Sequence, residues 1–284
     1  MSLLRANNLR KLYPNGTRGL DSLSVTIEPG EMVGVLGSSG AGKTTFFRLL
    51  NGTLRPTSGE LEVLGRRLDR HLTPAELRGL RTRVALISQH HNVIPPLSVL
   101  QNVLAGRLGR TGTLKALAGL FRVAETERLQ AAEALALVGL ADKLYARAED
   151  LSGGQQQRVA IARAIVQGAE LLLADEPIAS VDMRNAALIL DIFLRLNQEI
   201  GATVVMNLHQ LDFAIRYCPR ILVLKAGRLI YDGPPEGLKN IDIYGEKEPL
   251  VLEENEDHPA LPPEALLMEE AEIGLKLGRQ DTHD

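Results

Sequence analysis

Eight consecutive residues, Gly37-Ser38-Ser39-Gly40-Ala41-Gly42-Lys43-Thr44, carry the most chemically specific pattern in this chain. Glycines at this spacing let successive backbone N–H groups turn inward as a nest for an anion. The Lys43 ammonium can reach the outer phosphates of a nucleoside triphosphate, and the Thr44 hydroxyl can ligate Mg²⁺. Thr45 belongs to the same binding set and opens the helical stretch Thr45-Phe46-Phe47-Arg48-Leu49-Leu50. The apolar run Met32–Leu36 feeds the loop, so a strand leads in and a helix N-terminus adds the positive end of its dipole. A second cluster is Leu171-Leu172-Leu173-Ala174-Asp175-Glu176, an apolar strand closing on two carboxylates. Such a pair lies at the C-terminal edge of a sheet, where ligands bind in α/β folds.

The elements that must position these groups can be read from periodicity. Val84–Ser88, Leu171–Ala174, Thr203–Asn207 and Ile221–Leu224 are continuous apolar runs like Met32–Leu36, as expected of strands covered on both faces of a largely parallel sheet. Helical stretches alternate with them, which predicts an α/β layered fold. Leu3–Leu12 and Leu20–Glu28 predict an antiparallel β entry. Thr73-Pro74-Ala75-Glu76 spells a capping box with proline at the first helical position. From about residue 91 to Gln167 no strand signal appears, and Leu129–Leu140 and Gly153–Gln167 read as helices, so residues 91–167 form a helical insertion.

The remaining composition bounds the class. The chain has 284 residues, 45% hydrophobic and 24% charged, which excludes collagen-like, coiled-coil and wholly disordered chains. Cys218 is the single cysteine, so no internal disulfide forms and a reducing compartment is expected. No run of about 18 apolar residues exists, and no signal peptide is read at the start, so a soluble chain is expected. The net charge of −3 is unevenly spread: residues 246–284 hold twelve acidic and three basic side chains, a local −9, leaving +6 on the first 245. A mildly basic body suits a protein that handles anions, but +6 over 245 residues is unremarkable, and no nucleic-acid partner is expected. With Pro249, Pro259, Pro262 and Pro263 in it, the acidic stretch has the composition of a linker or disordered tail. The expected division is a domain over 1–245 and an acidic extension over 246–284.

Leu151-Ser152-Gly153-Gly154-Gln155, followed by Gln156-Gln157-Arg158 and, twenty residues after Leu151, by the Asp175-Glu176 strand, resembles the ATP-binding subunits of ABC transporters. The resemblance covers roughly residues 3–240 and implies a P-loop NTPase of the ABC ATPase type, with an antiparallel β subdomain and an inserted helical subdomain. It implies ATP and Mg²⁺ as ligands. By position it makes Asp175 a carboxylate that helps hold Mg²⁺, Glu176 the general base, Gln89 the glutamine that senses Mg²⁺ and the attacking water, and His209 a contact to the γ-phosphate. It makes Tyr13 the ring that stacks on adenine. Ala179-Ser180-Val181-Asp182 becomes the loop that crosses between subunits, with Asp182 as its carboxylate. Ser152, Gly153, Gly154 and Gln155 then face the phosphates held by a second copy, and a two-fold dimer completes two composite sites.

Gln101-Asn102-Val103-Leu104-Ala105-Gly106, Asp175-Glu176-Pro177-Ile178-Ala179-Ser180 and Leu208-His209-Gln210 are similar to phosphonate-import ATPases in particular. This implies an ATP-hydrolysing subunit that powers uptake of phosphonate or a related phosphorus oxyanion. Its partners would be integral membrane permease subunits and, indirectly, an extracytoplasmic substrate-binding protein, and its place the cytoplasmic face of the membrane. The alternative is a non-transport ABC ATPase, an accessory subunit of a soluble phosphonate-degrading complex. His90-His91 after Gln89 departs from the pattern. So does the acidic extension, which at 39 residues is short for a regulatory domain. A chain truncated after Gly245 is therefore expected to hydrolyse ATP at the full-length rate; loss of activity in a steady-state phosphate-release assay would refute this.

Overall fold

A computed structural model describes residues 2–88, 93–110, 123–179 and 181–244. Strands β1 (Leu4–Leu12) and β2 (Arg18–Ile27) form the antiparallel entry, followed by β3 (Met32–Leu36), β4 (Ser58–Val63) and the short β5 (Arg66–Arg67). β1, β2, β4 and β5 make one sheet in the order β2-β1-β4-β5. Its buried face carries Leu4, Ala6, Leu9, Leu23, Val25 and Ile27, as period-2 alternation requires. The second sheet adds β6 (Val84–Ser88), β7 (Leu171–Asp175), β8 (Thr203–Asn207), β9 (Arg220–Lys225) and β10 (Arg228–Gly233). Its order is β10-β9-β3-β8-β7-β6, parallel throughout except for β10 at one edge. Every residue of β3 and β8 is buried, which is why their sequences do not alternate.

Helix α1 (Lys43–Leu50) lies between the two sheets and contacts β2 and β7. Phe46, Phe47, Leu49 and Leu50 are each at most 1% exposed, and full burial of one such side chain is worth roughly 1.5–3 kcal/mol. Both sheets therefore fix the helix that follows the glycine loop. Helix α2 (Pro74–Arg81) begins where the capping box places it: Glu76 N donates to Thr73 Oγ1 at 3.2 Å and Thr73 N donates to Glu76 Oε2 at 2.8 Å.

The helical insertion contains α3 (Val99–Leu104), a 3₁₀ turn over Ala105–Arg110, α4 (Glu125–Leu137) and α5 (Gly153–Gln167). Fully buried Asn102 ties it together. Its Nδ2 donates to the backbone oxygens of Ile94, Leu97 and Ser98, and its Oδ1 accepts from Arg163 Nη2 of α5 at 3.1 Å. Helices α6 (Met183–Ile200) and α7 (Leu211–Tyr217) complete the α/β body. Among the described residues, no helix is long and apolar enough to cross a membrane.

Two expectations shift. α4 starts at Glu125 rather than Leu129, because Glu127 Oε2 accepts from Ala124 N at 3.2 Å and acidic residues suit a helix N-terminus. It ends at Leu137 rather than Leu140, because Gly139 adopts φ +65° and breaks the helix. β10 carries no apolar run and was not expected. It forms because Ala226 (φ +49°) and Gly227 (φ +78°) make a two-residue hairpin that folds Arg228 back onto Lys225.

Cys218 follows α7, is 1% exposed, and its Sγ packs where a Cβ on Gly34 of β3 would stand, 3.0 Å away. Burial pushes its thiol up to about 12, so little thiolate exists at neutral pH. The native protein should resist a thiol reagent such as dithiobis-nitrobenzoate at pH 8 and react with one equivalent per chain in denaturant. Rapid labelling of the native protein would contradict this packing.

Candidate functional site

The glycine loop joins the C-terminal end of β3 to α1, and its shape depends on two residues without side chains. A Cβ on Gly37 (φ +146°) would lie 2.2 Å from the backbone oxygen of Leu224, and one on Gly42 (φ +107°) 2.4 Å from that of Gly19. Only glycine fits such positive φ values beside neighbouring backbone. The β9–β10 hairpin props the loop from behind, since Gly227 N donates to Ala41 O at 2.9 Å while Asp21 N donates to Gly227 O at 2.8 Å. Ser39, Gly40 and Thr44 remain exposed on the outer side, with Ser38 half-buried.

Lys43 is 5% exposed. Its Nζ donates to Gly37 O and, at 3.1 Å, to Ser38 O. Burial pulls its ammonium below the usual lysine range, while the charges of Glu176 and Asp175 act in the opposite sense. Lys43, Asp175 and Glu176 thus share one electrostatic neighbourhood. Tyr13 sits just beyond β1, half-buried, with its hydroxyl 3.1 Å from Thr45 Oγ1. Lys11 Nζ lies 5.7 Å from its ring centre.

Asp175 ends β7 and Glu176 follows it. Glu176 has φ +56°, a left-handed conformation that costs a non-glycine residue about 1–3 kcal/mol. Its N–H donates to Asn207 O at 3.1 Å, and its Oε1 accepts from His209 Nε2 at 2.7 Å. Asn207 Nδ2 donates to Asp175 Oδ1 at 2.6 Å. His209 is fixed in turn by Tyr244, whose hydroxyl donates to His209 O at 2.7 Å. Burial raises the Tyr244 hydroxyl above its ordinary range, and Asp212 adds to this.

Ser152 caps α5 through a reciprocal pair: Gln155 N donates to Ser152 Oγ at 3.4 Å, and Ser152 N to Gln155 Oε1 at 3.0 Å. Ser152 and Gly153 are exposed and Gly154 is buried. Asp182 caps α6, accepting from Asn185 N at 3.0 Å and from Asn185 Nδ2 at 2.6 Å. The backbone bond from Asn185 is the main cause that holds its carboxyl below the usual range. A Cβ on Gly154 would meet Asn185 Cγ at 3.3 Å, so the two helix starts touch. Among the described residues, no hydrogen bond or ion pair joins Ser152–Gln155 to Lys43, Asp175, Glu176 or His209. The described residues thus show two groups, the loop with the acidic strand end and the paired helix starts, with no hydrogen bond or ion pair between them.

Residues 20–179 match the family model described as ABC transporter. This span includes the glycine loop, the Ser152–Gln155 segment and the Asp175-Glu176 pair. The chain belongs to the ABC transporter family. It is 44% identical over 247 residues to the Phosphonates import ATP-binding protein PhnC of Bdellovibrio bacteriovorus, covering 86% of this chain and 94% of that one. It is 48% identical over 251 residues to the Phosphonates import ATP-binding protein PhnC 1 of Pseudomonas aeruginosa, covering 86% and 89%. Among solved structures it resembles the dimeric post-hydrolysis state of the ATP-binding cassette MJ0796 bound to ADP and Pi. That match has a TM-score of 0.70 and 32% identity, and covers 82% of this chain and 98% of that one.

Within this ABC ATPase fold, Lys43, Asp175, Glu176 and His209 come together at one sheet edge, with Tyr13 and Thr45 adjoining α1. Gln89 and Ser180 lie outside the described residues, as do His90, His91 and the extension from residue 245 onward. Asn207, Tyr244 and the 226–227 hairpin were not singled out from sequence. Each acts through a long-range contact, and only the polar Asn207 at the end of an apolar strand gave any signal. Gly42→Ala should cost about 1–2 kcal/mol from handedness alone, with more from the clash at Gly19. The check is a lowered melting temperature together with lost binding of a fluorescent ATP analogue; wild-type values for both would contradict the loop geometry.

Proposed function

We propose that this chain is the ATP-hydrolysing subunit of an ABC importer that takes up phosphonate or a related phosphorus oxyanion. The observation that carries this reading is the buried Lys43 ammonium, facing the charges of Asp175 and Glu176 beneath a glycine loop. The import names of the curated relatives supply the substrate class and favour transport over a soluble accessory role. The chain works as a two-fold dimer beside integral membrane permeases at the cytoplasmic face, and a substrate-binding protein outside selects the cargo. Residues 246–284 are an appendage to a domain spanning 1–245.

The triphosphate lies in the nest of Gly37, Ser38, Ser39, Gly40, Ala41 and Gly42, with Lys43 releasing its loop carbonyls to meet phosphate oxygens. Thr44 and Asp175 offer the hard oxygen donors that Mg²⁺ prefers; with Gln89 they would hold the cation, which would supply positive charge against the phosphates. Glu176 accepts the proton of the attacking water. His209 holds the Glu176 carboxylate in place and reaches the terminal phosphate. Tyr13, its hydroxyl tied to Thr45, offers a ring face to adenine.

The exposed Ser152 and Gly153 at the start of α5, with Gly154 and Gln155 behind them, face the nucleotide of the second copy. Asp182 crosses the same interface. The separation of these residues from Lys43 within one chain supports that arrangement. A helix N-terminus attracts phosphate in the same way whichever chain supplies it.

Glu176→Gln keeps size and hydrogen bonding but removes proton acceptance, so hydrolysis should slow by about 10²–10⁴-fold. Unhydrolysed ATP then holds two copies together, and size-exclusion with ATP and Mg²⁺ should show a dimer. Adding Ser152→Arg should abolish the dimer while each monomer still binds nucleotide. A Glu176→Gln protein that stays monomeric with ATP, or that hydrolyses at the wild-type rate, would overturn the site assignment.

A further inference from the structure

One row of residues crosses the C-terminal edge of the parallel sheet. The strand registers set Val35, Asn207, Asp175 and Ser88 side by side. Asn207 therefore stands between the strand that feeds the glycine loop and the strand that ends in the acidic pair. It is fully buried. Its Nδ2 donates to Asp175 Oδ1 at 2.6 Å, and its backbone oxygen accepts from Glu176 N–H at 3.1 Å. Its own Oδ1 is a buried acceptor without a hydrogen-bond partner among the described residues.

The orientation of this amide is set by chemistry. Nδ2 can donate to a carboxylate, whereas a flipped amide would press two acceptor oxygens together. The orientation leaves Oδ1 orphaned, an unfavourable state for a buried acceptor that a leucine of similar volume would avoid. The other residues of β8 are Thr203, Val204, Val205 and Met206, so Asn207 is the one amide in the strand. Packing does not account for the amide; its contact with Asp175 does.

We propose that Asn207 is a positioning residue for the divalent cation at this site. The amide clamps Oδ1 of Asp175 and leaves Oδ2, which has no hydrogen bond among the described residues, as the oxygen offered to hydrated Mg²⁺. This inference rests on the reading of Asp175 as a holder of Mg²⁺. Outer partners that orient a ligating carboxylate set metal affinity as well as ligand geometry. The tie to Glu176 runs through the Asn207 backbone, so a change of side chain leaves that bond in place. Substitution therefore acts on cation dependence more than on the rate at saturating cation.

The test uses the full chain with Asn207→Leu, and with Asn207→Ala should leucine fail to fold. The Mg²⁺ concentration for half-maximal ATP hydrolysis should rise about tenfold or more, and Mn²⁺ titrated with ADP and followed by electron paramagnetic resonance should bind more weakly by a similar factor. ADP binding in EDTA should match wild type, and the leucine variant should not melt lower. Wild-type Mg²⁺ and Mn²⁺ titrations in the variant would overturn the positioning role alone. A lowered melting temperature with unchanged Mn²⁺ binding would make Asn207 merely structural, which also overturns it. A wild-type protein without Mg²⁺-dependent hydrolysis would instead remove the reading beneath the inference.

Discussion

The burial of one ammonium organises the C-terminal edge of the parallel sheet. Lys43 is almost wholly removed from solvent at the first turn of α1. A buried charge is tolerated only when other groups replace its water. Here Gly37 O and Ser38 O accept hydrogen bonds from it, and Asp175 and Glu176 supply opposite charge. This requirement dictates the shape of the glycine loop, which must bend its carbonyls toward its own lysine. It also dictates where β7 must end, since the carboxylates have to arrive within Coulombic reach.

The two sheets supply the rigidity this arrangement needs. α1 is gripped on both sides by apolar residues, so its N-terminus has a fixed direction. The β9–β10 hairpin braces the loop from behind through Gly227, and the same glycine binds Asp21 of the antiparallel sheet. Glu176 is held in a left-handed conformation, φ +56°, by its neighbours. The segment Asn207–His209 provides that restraint, because it bonds the Asp175 side chain, the Glu176 backbone and the Glu176 side chain in succession.

The paired helix starts at Ser152 and Asp182 follow a different logic. Ser152 and Asp182 each cap a helix, and those caps alone would justify their residue types. Gly154 packs on Asn185, so the starts of α5 and α6 touch. α6 begins only a few residues after Glu176, so the acidic pair and this helix start are near neighbours in sequence.

The glycine loop, the strand-end carboxylates and the Ser152 cap were legible from sequence because each relies on local physics, whereas Tyr13, Gln89, Asp182 and His209 were placed only by resemblance. A glycine nest needs its glycines adjacent, a strand-end carboxylate follows an apolar run, and a Ser N-cap opens its own helix. The antiparallel entry, five core strands and the capping box at Thr73 were legible for the same reason: period and turn chemistry act over a few residues. Tertiary structure alone decided which strands are neighbours. The insertion of β8 between β3 and β7 brings Asn207 against Asp175, 32 positions away in sequence, and no local pattern encodes that pairing. The edge strand β10 and the N-terminal reach of α4 escaped for a related reason: hydrogen bonds at a hairpin and at a helix cap override weak propensity. Sequence determined the chemical groups available to the site, because their types are local necessities. Only the fold decided their distances, because those follow from how two sheets close around one helix.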